Sequence, residues 1–391
     1  MPQNALSIES LCHGLDFPDF VLGFDHVPGG KVLFGPGVVG QIGEEAKRLG
    51  AKRALLVTDP GIAKTGHSER AVSILKDAGI EVVVFDQVHE NPTTIDVKRC
   101  VECASEAEVD LIIGFGGGSS MDTAKAANFI LTNGGRMQDY QGVNRAEKPM
   151  LPLIAVPTTS GTGSECQSFA LIADSESHAK MACGDKKAAA AVAILDPELT
   201  LTQPSSVTAH TGIDAVAHAL ETAVCNKGND ISMAYSRAAW SLLEKGLETV
   251  LAEPDNMKAR ARMQLGAAFA GTAIENSMLG IAHSCANPLT AHFGTVHGQA
   301  VGTMLPHVIR FNRQNEAAEK VYNELYPNGS LEDRVSELLV AAKMDESATD
   351  LGLTESAIDQ LSTEAASQWT AQFNPVQVDA EALAKVYRSA L

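Results

Sequence analysis

The stretch DLIIGFGGGSSMDTAKAANFILTNGG, residues 110–135, passes from an apolar run through three consecutive glycines into a segment of helical spacing. DLIIGFG is short and uninterrupted by polar residues after Asp110, the pattern of a strand buried on both faces. Ser119, Ser120 and Asp122 then open a helix that Gly134-Gly135 closes. Gly116, Gly117 and Gly118 allow a backbone to approach an anion, and the free N–H groups of a helix start attract one. That is the chemistry of a diphosphate cradle. The spacing is neither G-x-G-x-x-G nor a P-loop, because no GK[ST] follows. The same residues would equally serve a tight turn in which Ser and Asp only cap the helix.

The pattern repeats on either side. RALLVTD (53–59), EVVVFD (81–86), PLIAVP (152–157) and AVAILD (191–196) are short apolar runs, with helical spacing through Gly79 and over 93–108. Strands alternating with helices predict βαβ units and a parallel sheet. Asp59 ends the first clear strand, where an acid can accept from an adenosine ribose and repel a 2′-phosphate, favouring NAD over NADP. It is also a natural turn residue before Pro60-Gly61. PTTSGTGSE (157–165) follows another strand and is crowded with hydroxyls, suited to a cofactor or simply to a Ser/Thr-rich turn.

After Pro204 the pattern changes to long helical segments, among them SVTAHTGIDAVAHALETAVC and ISMAYSRAAWSLLEKGLETVLA, with charged outer faces toward the C-terminus. We therefore expect an α/β nucleotide-type domain over 1–200 and an all-α domain over 201–391, joined within PELTLTQPSS. Two domains also suit a chain of 391 residues. Forty-eight acidic against 30 basic residues give a net charge of −18, unfavourable for nucleic acid. No run approaches the ~20 apolar residues of a membrane span. MPQNALSIESLCHGLDFPDF carries no basic stretch ahead of an apolar one, so no secretory leader is expected. Seven scattered cysteines, with a lone CxxC at Cys100 and Cys103 on a helical pattern, fit reduced thiols in a cytoplasmic protein better than a disulfide framework.

GIDAVAHALE (212–221) places Asp214 and His218 four residues apart, on one face of a helix. A carboxylate and an imidazole at that spacing are half of a metal site, or an ordinary surface pair. AHSCANPLTAHFGTVHG (282–298) is the dense source of further histidines, His283, His292 and His297. Asp with three His would close a four-ligand set for Zn²⁺ or Fe²⁺, leaving room for a substrate oxygen.

GGGSSMD, PTTSGTGSE, GIDAVAHALE and GIAHSCANPLTAHFGTVHG, in this order and at these separations, resemble the iron-containing (group III) alcohol dehydrogenases from about residue 20 onward. The resemblance implies a Rossmann-like NAD-binding domain followed by a helical metal-binding domain, the dehydroquinate synthase-like fold, with the active site in the cleft between them. It implies hydride transfer between NAD, or NADP, and a small alcohol or carbonyl at Fe²⁺, or Zn²⁺. The implied metal ligands are Asp214, His218, His283 and His297. Gly116, Gly117, Gly118, Ser119 and Asp122 fall in the diphosphate loop. Thr158, Thr159 and Ser160 fall near the cofactor, and Lys180 in a segment crossing over it. Glu221 completes the helical motif in a supporting role. A homo-oligomer, dimer or larger, is common in the family.

Two departures stand out. Asn287 occupies the place of the family's usual histidine, a candidate proton relay, and an amide does not titrate near neutral pH. Val296 replaces a proline, and His292 stands where an aromatic is common. Asn287 and His292 are therefore the candidate catalytic residues, His292 as a displaced relay, a pocket group or an ordinary half-buried histidine. Rival readings are a glycerol dehydrogenase-like zinc polyol dehydrogenase and a dehydroquinate synthase-like lyase. The lyase needs a Lys/Arg cluster that the ligand segments lack. Maleylacetate reductases dispense with the metal, and a non-catalytic NAD binder should have lost a ligand or the glycine loop.

Overall fold

The computed structural model describes residues 30–177 and 179–391. The N-terminal stretch read above for a leader lies outside the described residues. The chain divides into two compact units, one ending at Pro204 and the other spanning Ser205–Leu391.

The first unit is built on a six-stranded sheet of β1 (Lys31–Phe34), β2 (Arg53–Val57), β3 (Glu81–Phe85), β4 (Leu111–Gly116), β6 (Leu153–Pro157) and β9 (Val192–Leu195). Its order is β1-β9-β6-β4-β2-β3, and every pairing is parallel. The helices α1 (Ile42–Arg48), α2 (Pro60–Lys64), α3 (His67–Asp77), α4 (Thr94–Ala107) and α5 (Gly118–Asn133) accompany it. β4, β6 and β9 are buried throughout, hence their unbroken apolar sequences. At the edges, Val32 of β1 and Val84 of β3 are exposed.

β3 and β4 flank β2 on opposite sides, so the winding reverses there. Ligands of open α/β sheets bind beyond the carboxyl ends of the strands at such a switch point. Register sets Val57 beside Gly114 and Gly116 beside Pro157, so the loops after β2, β4 and β6 emerge side by side.

A smaller sheet of β5 (Gly142–Val143), β8 (Lys180–Gly184) and β7 (Phe169–Ala173) includes an antiparallel pair, β7 with β8, and lies against α5. The unit is thus mixed α/β rather than purely parallel. The CxxC is structural: Cys100 is buried in α4, Cys103 is half-buried, and both are free thiols pushed upward in pKa by burial.

The second unit is all-α: α6 (Ser205–Val224), α7 (Asp230–Ala252), α8 (Met257–Glu275), α9 (Ile281–Phe293), α10 (His297–Asn312), α11 (Glu316–Leu325), α12 (Leu331–Ala342), α13 (Glu355–Ser367) and α14 (Ala380–Ser389). One apolar cluster runs through them, including Ile213, Val216, Leu220, Leu243, Leu289 and Val301. α6 packs closely against α7, α8 and α10. Buried on nearly every side, it is apolar around most of its circumference, so Asp214, His218 and Glu221 stand out as polar groups in a dry interior. No helix among the described residues is long and apolar enough to cross a membrane.

Candidate active site

Asp214 and His218 share one face of α6, and Glu221 follows a turn later. His283 lies in the first turn of α9, and His297 is the first residue of α10. Gly298 explains how α10 reaches α6: a Cβ there would stand 2.2 Å from the backbone oxygen of His210, one turn before Asp214. Only a residue without a side chain allows the two backbones to meet so closely.

The four candidate ligand groups converge on Asp214 Oδ1. His218 Nε2 is 3.4 Å away, His283 Nε2 3.3 Å and His297 Nε2 3.9 Å. One ligand atom from each of Asp214, His283 and His297 lies within 4.8 Å of the others. An ion about 2.1 Å from each of four tetrahedral ligands sets them about 3.4 Å apart, so the spacing matches such an ion. Asp214 Oδ1 and His283 Nε2 are buried and make no hydrogen bond. A buried acceptor without a donor is costly, and a cation at the centre satisfies both atoms at once.

Glu221 fixes the tautomer that this requires. Its Oε2 accepts from His283 Nδ1 at 2.5 Å, and its Oε1 accepts from the Ala282 N–H at 2.6 Å. With the proton on Nδ1, Nε2 carries the lone pair that a metal needs. Burial pulls His283 downward in pKa, but Glu221 and Asp214 outweigh it and carry the imidazole to about 9. Burial lifts Asp214, but His218, His297 and His283 hold its carboxyl well below the usual range. Both directions are those of a cluster that favours positive charge at its centre, the charge an ion would supply. His297 is 28% exposed as a side chain against 5–8% for the other three, so the cluster opens on its side.

Two histidine-region residues behave differently. Asn287 is one turn beyond His283 on the same side of α9, half-buried, its Nδ2 donating to Gln368 Oε1 at 3.2 Å. His292 corrects the expectation placed on it. Nine residues beyond His283, it lies about 13 Å along the helix and half a revolution around it. It is exposed and pairs with Glu364 at 2.8 Å. That removes it from the candidate catalytic residues.

In the α/β unit, Gly117 caps α5 in an extended conformation, so the helix starts at Gly118, one residue before Ser119. Gly116 has φ +152°, and a Cβ there would meet Ser120 Oγ at 2.5 Å and Asp59 Oδ2 at 3.3 Å. Asp59 caps α2, its Oδ1 accepting from Gly61 and Ile62 N–H groups while Oδ2 faces the glycine turn. Both roles considered for Asp59 are thus open to one side chain. Thr159 packs against Gly117, and Ser119 lies half-buried in the first turn of α5.

Four buried hydroxyls at these strand ends make no hydrogen bond: Thr58, Ser120, Thr158 and Ser160. Unsatisfied hydroxyls grouped around a glycine turn are what a dinucleotide's oxygens and amide would satisfy. Thr58 is absent from the residues the sequence singles out, and Ser120 appears there only as part of the helix start. The sole signal for them was position, one residue before Asp59 and two after Gly118.

Asp122 is a second correction. Its carboxylate accepts from Ser164 Oγ at 2.7 Å and from the Leu171 N–H at 3.1 Å, so both oxygens are engaged behind the turn rather than facing a diphosphate. Lys180 opens β8 on an exposed position of the small sheet, where its charge is felt by Asp122.

Comparison with known proteins fits this geometry. The iron-containing alcohol dehydrogenase family matches residues 29–197, and the C-terminal model of the Fe-containing alcohol dehydrogenase family matches residues 208–391. The NAD-dependent methanol dehydrogenase of Bacillus methanolicus is 33% identical over 381 residues, 93% of this chain and 99% of that protein. A crystal structure of 1,3-propanediol oxidoreductase superposes with a TM-score of 0.89 at 29% identity, covering 95% of this chain and all of the other. The sulfoacetaldehyde reductase of Bifidobacterium kashiwanohense, solved in complex with NAD⁺, gives 0.85 at 29% identity over 94% and 99% of the two chains. The chain belongs to the iron-containing alcohol dehydrogenase family. Its activity is that of a metal-dependent, NAD-linked alcohol dehydrogenase or aldehyde reductase.

Proposed function

We propose that the chain oxidises a small primary alcohol, and in reverse reduces the aldehyde, with NAD as hydride carrier and Asp214, His218, His283 and His297 as ligands of one divalent ion. The observation that carries this is the pair of buried acceptors, Asp214 Oδ1 and His283 Nε2, that face one another without a donor. When bound, the ion supplies Lewis-acid polarisation of an alcohol or carbonyl oxygen. Fe²⁺ accords with the family's description, and Zn²⁺ suits the same Asp/His₃ set.

The remaining roles belong to the chain itself. Glu221 holds His283 in the metal-binding tautomer. The backbone at Gly116, Gly117, Gly118 and Ser119 offers N–H groups to the diphosphate, and Thr158, Thr159 and Ser160 offer hydroxyls. Asp59 Oδ2 disfavours a 2′-phosphate, which selects NAD over NADP. Lys180 would supply a cation in the segment that the family resemblance sets over the cofactor. Asn287, its Nδ2 donating to Gln368, orients a hydroxyl or water and relays no proton, since an amide does not titrate near neutral pH. A small primary alcohol accords with the names of the relatives, which act on methanol, 1,3-propanediol and sulfoacetaldehyde. The dehydroquinate synthase-like fold, domains meeting near residue 200, a homo-oligomer and a cytoplasmic setting complete the reading. The six free cysteines among the described residues support the last of these.

Anaerobic purification with metal analysis, followed by NAD reduction over primary alcohols, diols and hydroxy acids, tests the proposal. One Fe²⁺ or Zn²⁺ per chain and turnover of a short primary alcohol are expected. A folded protein with neither refutes it. A preference for vicinal diols with zinc would favour the glycerol dehydrogenase-like alternative. His283→Ala should abolish metal binding and leave NADH binding intact.

A further inference from the structure

Lys125 has no place in the mechanism above, yet it is completely buried. Lysine is almost never fully buried unless its charge is met. Here Nζ donates to Ser164 O at 2.6 Å, Ser164 Oγ at 2.8 Å and Phe169 O at 2.9 Å, with Asp122 Oδ1 at 4.0 Å. All of these acceptors except Asp122 lie on or just beyond the hydroxyl-rich loop that follows β6.

The attachment is a stripe along α5. Gly118, Asp122 and Lys125 stand at i, i+4 and i+7, one face of the helix. At Gly118 the loop packs so closely that a Cβ would stand 2.7 Å from Thr162 Cγ2. Asp122 takes the Ser164 hydroxyl proton, and Lys125 takes the Ser164 carbonyl and the Phe169 carbonyl. The loop is thus fastened to the helix that carries the glycine turn at three successive points. Its inward hydroxyl, Ser164, is fully engaged. Thr158 and Ser160, nearer the strand end, are buried with no partner. The fastened part positions the unfastened part.

We propose that Lys125 is a positioning residue for the dinucleotide: its ammonium locks the 158–168 loop onto α5, so that the hydroxyls of Thr158 and Ser160 stand preformed beside the Gly116–Gly118 turn. The inference rests on the reading of those two loops as the NAD cradle. A preformed cradle binds more tightly because the ordering cost is met during folding. Burying an ammonium is costly on its own. Satisfying two loop carbonyls would not need it, since water could do so, whereas a rigid three-way junction does.

The test is Lys125→Met, of similar length without charge, beside Asp122→Asn/Lys125→Met, which removes both buried charges. NADH affinity is measured by fluorescence titration, with KM for NAD, kcat, metal content and Tm alongside. Lys125→Met should raise the NADH Kd and the KM for NAD by roughly tenfold or more, with kcat at saturating NAD within about threefold and metal content unchanged. The double variant should recover Tm without recovering NADH affinity. Folded variants with NADH affinity within twofold of wild type, whatever their Tm, overturn the proposal and reduce Lys125 to a structural role. Should Lys125→Met not fold, Ser164→Ala removes the hydroxyl shared by Lys125 and Asp122 and should still weaken NADH binding severalfold; unchanged affinity overturns it equally. A wild type that binds no NADH overturns the cradle reading itself, a different result from a wild type and variants that bind alike.

Discussion

Gly298→Ala should cost the protein its metal more than its fold. The added Cβ would lie 2.2 Å from His210 O, 2.8 Å from the His210 carbonyl carbon and 3.0 Å from its Cα. All three are backbone atoms, so no rotamer change relieves the contact. Reaching an ordinary separation of about 3.4 Å requires the start of α10 to retreat by roughly 1 Å. His297 is the adjacent residue and moves with it. Its Nε2 already stands 3.9 Å from Asp214 Oδ1, the longest of the three spokes. Two ligands of one ion at about 2.1 Å can be at most about 4.2 Å apart, so a further 1 Å takes His297 out of reach. Overpacking costs about 1–3 kcal/mol, offset by up to about 1 kcal/mol from the better helix propensity of alanine. In a unit of this size that lowers the Tm of the metal-free protein by only a few degrees, at roughly 2–4 °C per kcal/mol. Losing one of four ligands should weaken metal binding by more than about 100-fold, beyond what loss of a supporting hydrogen bond gives. Competition against a chromophoric chelator measures the affinity, and calorimetry of the chelated protein measures the Tm. NADH affinity serves as the control. Wild-type metal affinity in a folded Gly298→Ala protein would refute the geometry derived for His297.

Glu221→Gln keeps the shape but weakens the acceptor on His283, and should lower metal affinity by about 10–100-fold with little change in the apo Tm; the chelator competition checks it. His292→Ala should leave kcat unchanged and cost under about 1 kcal/mol, because its pair with Glu364 is exposed on both sides; a collapse of kcat in the alcohol assay would restore it as a catalytic group. Glu165 is buried, which raises its carboxyl from 4.5 to about 7. Between those values the folded state holds more protons than the unfolded chain, so this residue makes stability fall as pH rises from about 4.5 to 7. The penalty above pH 7 is about 3 kcal/mol. Glu165→Gln should remove it, so in urea melts the stability of the variant relative to wild type should grow by that order from pH 5 to pH 8; a flat difference would show that the carboxyl is solvated.

What could be read in the sequence follows the kind of physical constraint involved. β2, β4, β6 and β9 are legible because a parallel strand covered on both faces must be apolar without interruption. β1 and the β7–β8 pair are not, because edge positions such as Val32 and Leu171 are exposed and the alternation is diluted. Asp214 and His218 are legible because an i, i+4 pair meets through helix geometry alone. His283 and His297 needed the family resemblance, since nothing local brings α9 and α10 to α6. For His292, the departure from the family pattern left three readings open, and helical phase separates them: nine residues is half a revolution, which turns it away from His283. Thr58 carries no pattern at all, and Ser120 none beyond its place after the glycines. A hydroxyl becomes informative when burial leaves it without a partner, and burial there depends on three strands that are far apart in the chain lining up in the sheet.

The two sites are built on the same physical principle. In each, a charged side chain that does no chemistry is buried so that others can remain unsatisfied. Glu221 is fully occupied, by Ala282 and His283, and through that occupation His283 Nε2 is left bare. Lys125 is fully occupied, by Ser164 and Phe169, and the loop it fixes leaves Thr158 and Ser160 bare. An orphaned polar atom would normally recruit water or rotate to a neighbour. It stays available only if its surroundings cannot relax, and relaxation is what the engaged partner prevents. The energetic cost of these bare atoms is borne by the packing of α6 in one unit and of α5 in the other. Ligand binding then completes hydrogen bonds that folding left open. It follows that metal should raise the melting temperature of the helical unit and NADH that of the α/β unit. The two increments should be separable, with Glu221→Gln shrinking the first alone and Lys125→Met the second alone.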